Sequence, residues 1–191
     1  MDALFTSTLV VALAEIGDKT MLLAIILAAR FNRPVAIILG ILAATLANHF
    51  LAALVGSQAA YWLDGFWFRL AVALSFIAMG LWTLIPDTLE DDEKPSVTRF
   101  GAFTATAVAF FLVEMGDKTQ LATIALGARF ENAVLVTIGT SAGMMLANVP
   151  AVLLGDRILR RVPLNVVRYL AAGLFVVIGL WMLAAIWMTG S

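Results

Sequence analysis

The sequence predicts an all-α membrane protein whose six transmembrane helices form two inverted three-helix repeats. Three observations lead to this fold class. Of the 191 residues, 62% are hydrophobic and 13% are charged, and the mean hydropathy of +0.99 is high for a soluble domain. The apolar residues fall in runs long enough to cross a hydrocarbon core about 30 Å thick, which takes about 20 helical residues. The two halves of the chain also share a repeated sequence pattern.

Six apolar runs are long enough to be transmembrane helices. They are residues 4–29, 35–61, 66–86, 100–128, 133–155 and 164–188. The first has no basic flank and is interrupted by Glu15, so we expect a retained helix and not a cleaved signal peptide. The stretch 87–98 is acidic and polar, and we interpret it as a linker. We therefore predict a first repeat over 1–86, this linker, and a second repeat over 99–191.

The two halves repeat at a spacing of 99 residues. Of the 17 positions from Glu15 to Phe31, 11 are identical to those from Glu114 to Phe130. Because each half contains an odd number of helices, the second half must enter the membrane from the opposite side. Such inverted repeats are typical of transporters that open to each face in turn. Duplication retained only for packing is the alternative.

Basic residues are distributed unevenly between the two ends of the predicted helices. Arg69 and Arg129 lie on one side. The other side holds eight basic residues, which are Arg30, Arg33, Lys94, Arg99, Arg157, Arg160, Arg161 and Arg168. Because basic residues accumulate in cytoplasmic connections, we predict that both termini lie outside the cytoplasm and that the acidic linker 87–98 lies inside it.

Two short motifs place charges inside apolar helices. EIGDKT covers residues 15–20 in the first helix, and EMGDKT covers residues 114–119 in the fourth. At 1.5 Å per residue, both motifs lie about 15 Å from either end of their helices, near the bilayer midplane. On a continuous helix the two acids and the lysine share one face, within an arc of about 100°. If the two helices cross, the charged groups that meet are Glu15, Asp18, Lys19, Glu114, Asp117 and Lys118.

The predicted cluster has four carboxylates and two ammonium groups, which gives a formal charge of −4 plus 2, or −2. Burying this charge is costly unless a divalent cation or two protons neutralise it. The cation and the protons would compete for the same deprotonated carboxylates, which predicts cation/proton exchange. Oxygen ligands in a chain without cysteine suit Mn²⁺, Ca²⁺ and Mg²⁺ better than Cu⁺ or Zn²⁺.

Other polar or small residues near the motifs are candidates for supporting roles. Gly17 and Gly116 precede the aspartates, and they either loosen the helix and free backbone carbonyls as ligands or allow close helix contact. His49 is the only histidine, and we expect it to be a packed or hydrogen-bonded residue. Additional oxygen ligands or interhelical hydrogen bonds would come from Thr20, Asn48, Thr119, Gln120 and Asn148.

Both motifs follow the pattern E-x-G-D-[KR]-[ST], each in the first helix of a three-helix half. In this respect the chain resembles, over nearly its whole length, the small two-repeat cation/proton exchangers. That family includes bacterial MneA-type manganese exporters and eukaryotic Golgi manganese/calcium transporters. The resemblance implies export of Mn²⁺ or Ca²⁺ driven by proton entry, and it implies an ion site formed by Glu15, Asp18, Glu114 and Asp117.

The resemblance also assigns roles to the remaining motif positions. Gln120 follows the second motif, as is common in the family, whereas Met21 follows the first, so we expect the two half-sites to differ in polarity. The compact two-repeat chain resembles the bacterial members most, which implies Mn²⁺ as the ion and the inner membrane as the location. The basic and hydroxyl positions of the motif map to Lys19, Thr20, Lys118 and Thr119.

These observations favour a divalent cation exporter, for Mn²⁺ first and Ca²⁺ as the alternative, that exchanges the cation for protons by alternating access. They predict no enzyme activity, no resident cofactor and no nucleic-acid partner; the expected partners are the transported ion and the lipid bilayer, and the oligomeric state is open. A passive divalent-cation channel is a second interpretation. An intramembrane aspartyl protease is a third, because Asp18 and Asp117 each follow a glycine, but such an enzyme requires neither the glutamates nor the lysines.

Overall fold

The structure, a computed structural model, describes residues 2–63, 65–85, 101–155 and 163–189. The predicted linker 87–98 lies outside the described residues. The regular structure within these ranges is α-helical. The helices are α1 (Asp2–Glu15), α2 (Lys19–Phe31), α3 (Pro34–Trp62), α4 (Phe66–Thr83), α5 (Ala102–Glu114), α6 (Lys118–Phe130), α7 (Ala133–Leu154) and α8 (Leu164–Thr189).

Four of these helices, α3, α4, α7 and α8, are long and apolar enough to cross a membrane. Their bounds agree to within three residues with the predicted runs 35–61, 66–86, 133–155 and 164–188. Many of their large apolar side chains are exposed, as expected for surfaces that face lipid. The described helices therefore fit a multi-pass membrane protein.

The predicted continuous helices over 4–29 and 100–128 are not continuous. Each is divided inside its motif, where Gly17 has φ of +86° and Gly116 has φ of +79°. This left-handed conformation is rarely adopted by residues that carry a side chain, so glycine is what allows the chain to leave the helix. Helix breaking was one of the two interpretations of these glycines. The prediction that the motif charges share one face of a continuous helix is wrong.

Aspartate restarts the helix after each glycine. Asp18 and Asp117 occupy the N-cap positions of α2 and α6, with extended backbone at φ −78° and −74°. At the second break the Asp117 carboxylate accepts a hydrogen bond from the Thr119 backbone N–H at 3.4 Å. Asp117 thereby satisfies a backbone donor that the first turn of a helix leaves without an intrahelical acceptor, whereas Asp18 makes no such side-chain capping bond.

The two halves of the chain are interlocked. α1 of the first half packs on α7 of the second, and α5 of the second packs on α3 of the first. Glycine allows the close approach in both places, since a Cβ added at Gly139 would lie 2.8 Å from Ser7 Cβ and one added at Gly40 would lie 2.8 Å from Thr106 Cβ. These two contacts are equivalent under the 99-residue repeat. Each broken helix is therefore held by the opposite half of the chain.

α4 and α8, the last helix of each half, form a second symmetric pair. A Cβ added at Gly80 would lie 2.9 Å from the carbonyl oxygen of Ala172, and one added at Gly179 would lie 2.8 Å from that of Ala73. Small residues at these positions bring the two helix backbones together. In this pair, α8 also packs on α1, and α4 also packs on α6.

The two halves are not packed alike. α6 packs closely on α3, where Gly127 lies against the backbone of Ala53 and a Cβ added at Gly56 would lie 2.8 Å from the backbone nitrogen of Ala128. The equivalent packing of α2 on α7 is looser. There Gly155 ends α7, and a Cβ added to it would meet nothing within 4 Å among the described residues.

Candidate functional site

The two helix breaks meet in the interior and bring the motif carboxylates together. Carboxylate oxygens of Glu15, Glu114 and Asp117 all lie within 4.8 Å of one another. Asp18 is also buried, and none of the four carboxylates is more than 6% exposed. The glutamates stand at the C-terminal ends of α1 and α5, and the aspartates at the N-terminal ends of α2 and α6.

Each motif lysine pairs with the aspartate of the other motif. Lys118 Nζ lies 3.1 Å from Asp18 Oδ1, and Lys19 Nζ lies 3.5 Å from Asp117 Oδ1. The two ion pairs cross between the halves of the chain and cancel formally. The remaining charge of −2 therefore belongs to the two motif glutamates.

Hydroxyl groups hold one oxygen of each glutamate. Thr20 Oγ1 donates to Glu15 Oε2 at 2.6 Å. Thr119 Oγ1 donates to Glu114 Oε2 at 2.9 Å and also lies 3.2 Å from Asp117 Oδ2. The second oxygen of each glutamate, Oε1, is buried and has no hydrogen-bond partner in the part of the chain that the structure describes. A buried carboxylate oxygen that has no hydrogen-bond partner is suited to bind a cation or a proton.

Asp18 differs from Asp117 although the two are equivalent in sequence. Asp18 has the shorter of the two lysine contacts and is not one of the three carboxylates that lie within 4.8 Å of one another. It lines a cavity of about 10 Å³ together with Thr83 and Arg168, which is about the space of a single water molecule. Of the four predicted ligands, the structure thus groups three and places the fourth beside a lysine.

Gln120 connects the second break to α3. Its Oε1 accepts a hydrogen bond from the Gly116 backbone N–H at 2.7 Å, and its Nε2 donates to Asn48 Oδ1 at 2.6 Å. Asn48 Nδ2 in turn donates to the carbonyl of Phe111 at 3.2 Å. That carbonyl lies in the last turn of α5, which has no intrahelical donors for it. In this structure Gln120 and Asn48 therefore support the break through hydrogen bonds.

The first half does not repeat this network. Met21, at the position equivalent to Gln120, is buried. Asn148 Nδ2 donates within its own helix to the Met144 carbonyl at 3.1 Å. Its Oδ1 is buried without a hydrogen-bond partner among the described residues. The two half-sites thus differ in polarity, in the direction that the sequence predicts.

The two breaks also differ in how they are covered. The side chain of Leu164, at the start of α8, lies over the first break, where a Cβ added at Gly17 would be 2.9 Å from Leu164 Cδ2. At the second break a Cβ added at Gly116 would meet nothing within 4 Å among the described residues. Met115 beside it is 58% exposed. Among the described residues, the first break is therefore covered and the second is open.

His49 lies at the site, although nothing in the sequence beyond its position next to Asn48 placed it there. It is fully buried on α3, which packs on α5 and α6. Neither ring nitrogen has a hydrogen-bond partner in the described ranges. Nε2 lies 3.9 Å from Glu114 Oε2. Of the two expected environments, packing or hydrogen bonding, the described residues provide His49 with packing.

The chain matches the family model described as "Divalent cation/proton antiporter GDT1" over residues 3–91 and 102–189. The protein belongs to this family. The predicted family resemblance is thereby confirmed, and the two matched ranges correspond to the two halves of the sequence repeat. GDT1 proteins are transporters of divalent cations, so a metal ion is the kind of substrate to expect for this buried carboxylate group.

Individual GDT1 relatives cover nearly the whole chain. A Vibrio cholerae protein named "Putative manganese exporter" is 46% identical over 181 residues, which are 94% of this chain and 90% of that protein. GDT1-like protein 5 of Arabidopsis thaliana is 28% identical, and GDT1-like protein sll0615 of Synechocystis is 29% identical; each match covers 92% of this chain and 93% of the relative. No solved structure matches the chain significantly.

Proposed function

We propose that this protein exports divalent cations from the cytoplasm, Mn²⁺ first and Ca²⁺ as the alternative, in exchange for protons. The charge distribution at the breaks carries the proposal, because the crossed aspartate–lysine pairs leave the formal charge of −2 on Glu15 and Glu114. One divalent cation neutralises this charge, and so do two protons. Releasing the cation without replacement would leave buried carboxylates uncompensated, which is costly. Cation release is therefore coupled to proton uptake.

The proposed cation ligands are the oxygen atoms of Glu15, Glu114 and Asp117, which lie within 4.8 Å of one another. Asp18 completes the set by symmetry: it takes the place of Asp117 when the halves exchange conformations. The motif lysines couple the aspartates to the charge of the site, and the motif threonines orient the glutamates. The choice of Mn²⁺ is supported by the name of the Vibrio cholerae relative, a putative manganese exporter.

The proposed topology has six spans in two inverted repeats. The pairs α1–α2 and α5–α6 each form one span that is broken near the midplane, and the four longer helices form the others. The stretch Asp2–Phe31 contains 30 residues, enough to cross a hydrocarbon core about 30 Å thick even with a break. The protein is proposed to lie in the inner membrane of a bacterium. Both of its termini are placed outside the cytoplasm, because the basic residues accumulate at the opposite ends of the helices.

Alternating access is supported by the unequal packing of equivalent helices. In this structure α8 lies on α1 and covers the first break, whereas neither α4 nor any other described helix covers the second break at Gly116. In the other state of the proposed cycle, α4 covers the second break and α8 no longer covers the first break. The change requires a movement of the α4–α8 pair relative to the other helices, while the close contacts between α4 and α8 persist.

Transport by the purified chain in lipid vesicles tests this proposal. Mn²⁺ and Ca²⁺ fluxes are measured with and without an imposed pH gradient, together with internal pH. We expect the imposed proton gradient to drive the cation in the direction opposite to proton flow. Two protons should move for each cation. Glu15→Gln and Glu114→Gln should abolish both fluxes, whereas Glu131→Gln, which alters an exposed carboxylate away from the site, should not. Mn²⁺ flux that moves no protons and ignores the gradient would instead indicate a passive channel.

A further inference from the structure

His49 is the residue at this site whose surroundings are least explained by packing. Its side chain is fully buried, and neither ring nitrogen has a hydrogen-bond partner among the described residues. A neutral imidazole carries one donor and one acceptor, and burying both without partners is unfavourable. A leucine or methionine would fill the same space without this penalty. The imidazole therefore calls for a role that uses a nitrogen atom.

The nearest charged group indicates what that role is. Nε2 of His49 lies 3.9 Å from Glu114 Oε2, which is too far for a hydrogen bond. For metal–ligand bonds of about 2.1 Å, two donor atoms on one ion are separated by about 3 Å when they are adjacent and about 4.2 Å when they are opposite. The observed separation lies between these values. His49 and Glu114 are therefore spaced as two ligands of a single cation.

His49 extends the carboxylate group on one side. The three grouped carboxylates are those of Glu15, Glu114 and Asp117. His49 does not belong to this group, because its ring nitrogens do not lie within 4.8 Å of all three carboxylates. Glu114 belongs to both arrangements, because its carboxylate lies within 4.8 Å of those of Glu15 and Asp117 and 3.9 Å from the imidazole nitrogen. A cation bound to Glu114 would therefore have both oxygen and nitrogen donors nearby.

We propose that His49 is a cation ligand and that its nitrogen makes the site prefer Mn²⁺ over Ca²⁺ and Mg²⁺; this rests on the proposed cation transport. Ca²⁺ and Mg²⁺ are bound in proteins by oxygen ligands, whereas first-row transition metals also accept imidazole. The carboxylates alone do not distinguish these ions. The nitrogen comes from one half of the chain only, because aligning Asn48 with Asn148 places Val149 opposite His49.

Electron paramagnetic resonance of Mn²⁺ bound to the purified full-length protein tests the ligand directly. His49 is the only histidine in the chain, so nitrogen modulation of the Mn²⁺ electron spin echo by a bound imidazole has one source. We expect this modulation in the wild type and its loss in His49→Gln, with Mn²⁺ still bound. A wild-type spectrum with oxygen ligands only, or nitrogen modulation that persists in His49→Gln, would overturn the proposal.

Ion competition provides the second measurement. The affinities for Mn²⁺ and Ca²⁺ are compared in wild type, in His49→Gln and in Thr45→Val, a control one helical turn away on α3. We expect His49→Gln to lower the Mn²⁺ preference by about tenfold or more and Thr45→Val to leave it unchanged. Equal losses for both ions in His49→Gln would assign the residue a structural role. Both measurements use binding, so a wild type that binds Mn²⁺ through nitrogen without transporting it would overturn the proposed exchange and not the ligand.

Discussion

At the scale of single residues, the crossed ion pairs explain how six charged side chains, five of them buried, are accommodated together. Lys19 and Lys118 each neutralise an aspartate of the opposite half. A buried charge with a partner is far less costly than an isolated one. The motif glutamates accept hydrogen bonds from threonine hydroxyls instead. The lysines therefore define which carboxylates are left to bind the transported ion.

Equivalent aspartates should not contribute equally to cation binding. Asp117 lies in the group of three carboxylates, whereas Asp18 is outside it and closer to its lysine. We expect Asp117→Asn to weaken Mn²⁺ binding by about tenfold or more relative to Asp18→Asn, because only the first removes an oxygen ligand in this conformation. Titration of Mn²⁺ into the two purified variants measures the difference. Equal losses of affinity would contradict this assignment.

At the scale of secondary structure, the breaks place helix ends at the site. The C-terminal ends of α1 and α5 carry partial negative charge, and the N-terminal ends of α2 and α6 carry partial positive charge. The negative ends favour a bound cation. A continuous helix would instead present only side chains. Glycine at the two breaks is therefore as important to the site as the carboxylates.

The close contact between α3 and α6 should be sensitive to side-chain size. A Cβ added at Gly56 would meet the backbone of α6 at the Ile124 carbonyl, whereas one added at Gly173 on α8 would meet nothing within 4 Å among the described residues. We expect Gly56→Val to lower the free energy of unfolding in detergent by about 1–3 kcal/mol more than Gly173→Val, since overpacking forces helices apart. Thermal unfolding of the two variants measures this. Similar stabilities would show that α3 and α6 separate without cost.

At the scale of the whole molecule, two equivalent halves adopt unequal arrangements. The close packing of α6 on α3 and the cover that α8 provides for the first break have no close counterparts in the described part of the opposite half. Irregular backbone at membrane depth is tolerated only where protein or water covers it. The open break at Gly116 is therefore expected to face water.

Single-cysteine labelling compares the two breaks. The chain contains no cysteine, so variants at the equivalent positions Ile16 and Met115 have no background. We expect Met115→Cys to react faster with a water-soluble maleimide than Ile16→Cys, because Met115 is 58% exposed, whereas Ile16 is partly buried next to Gly17, which Leu164 covers. Conditions that favour the state in which the first break is uncovered should make Ile16→Cys the faster-reacting variant. Equal rates in all conditions would contradict a two-state exchange of cover.

Much of this protein follows from the sequence alone. Hydropathy predicted the bounds of α3, α4, α7 and α8, because a lipid-spanning helix needs a long apolar run whatever surrounds it. The repeated motifs indicated the family and identified the charged residues, because charge inside such a run requires a reason. The difference between Met21 and Gln120 predicted unequal half-sites.

Only the tertiary structure decided how these residues combine. Sequence periodicity assumes a continuous helix, so it did not show that Gly17 and Gly116 turn the chain out of α1 and α5. The pairing of Lys118 with Asp18 and the position of His49 beside Glu114 depend on helices that are far apart in sequence. Such contacts are determined by helix packing, which a pattern along one chain does not contain.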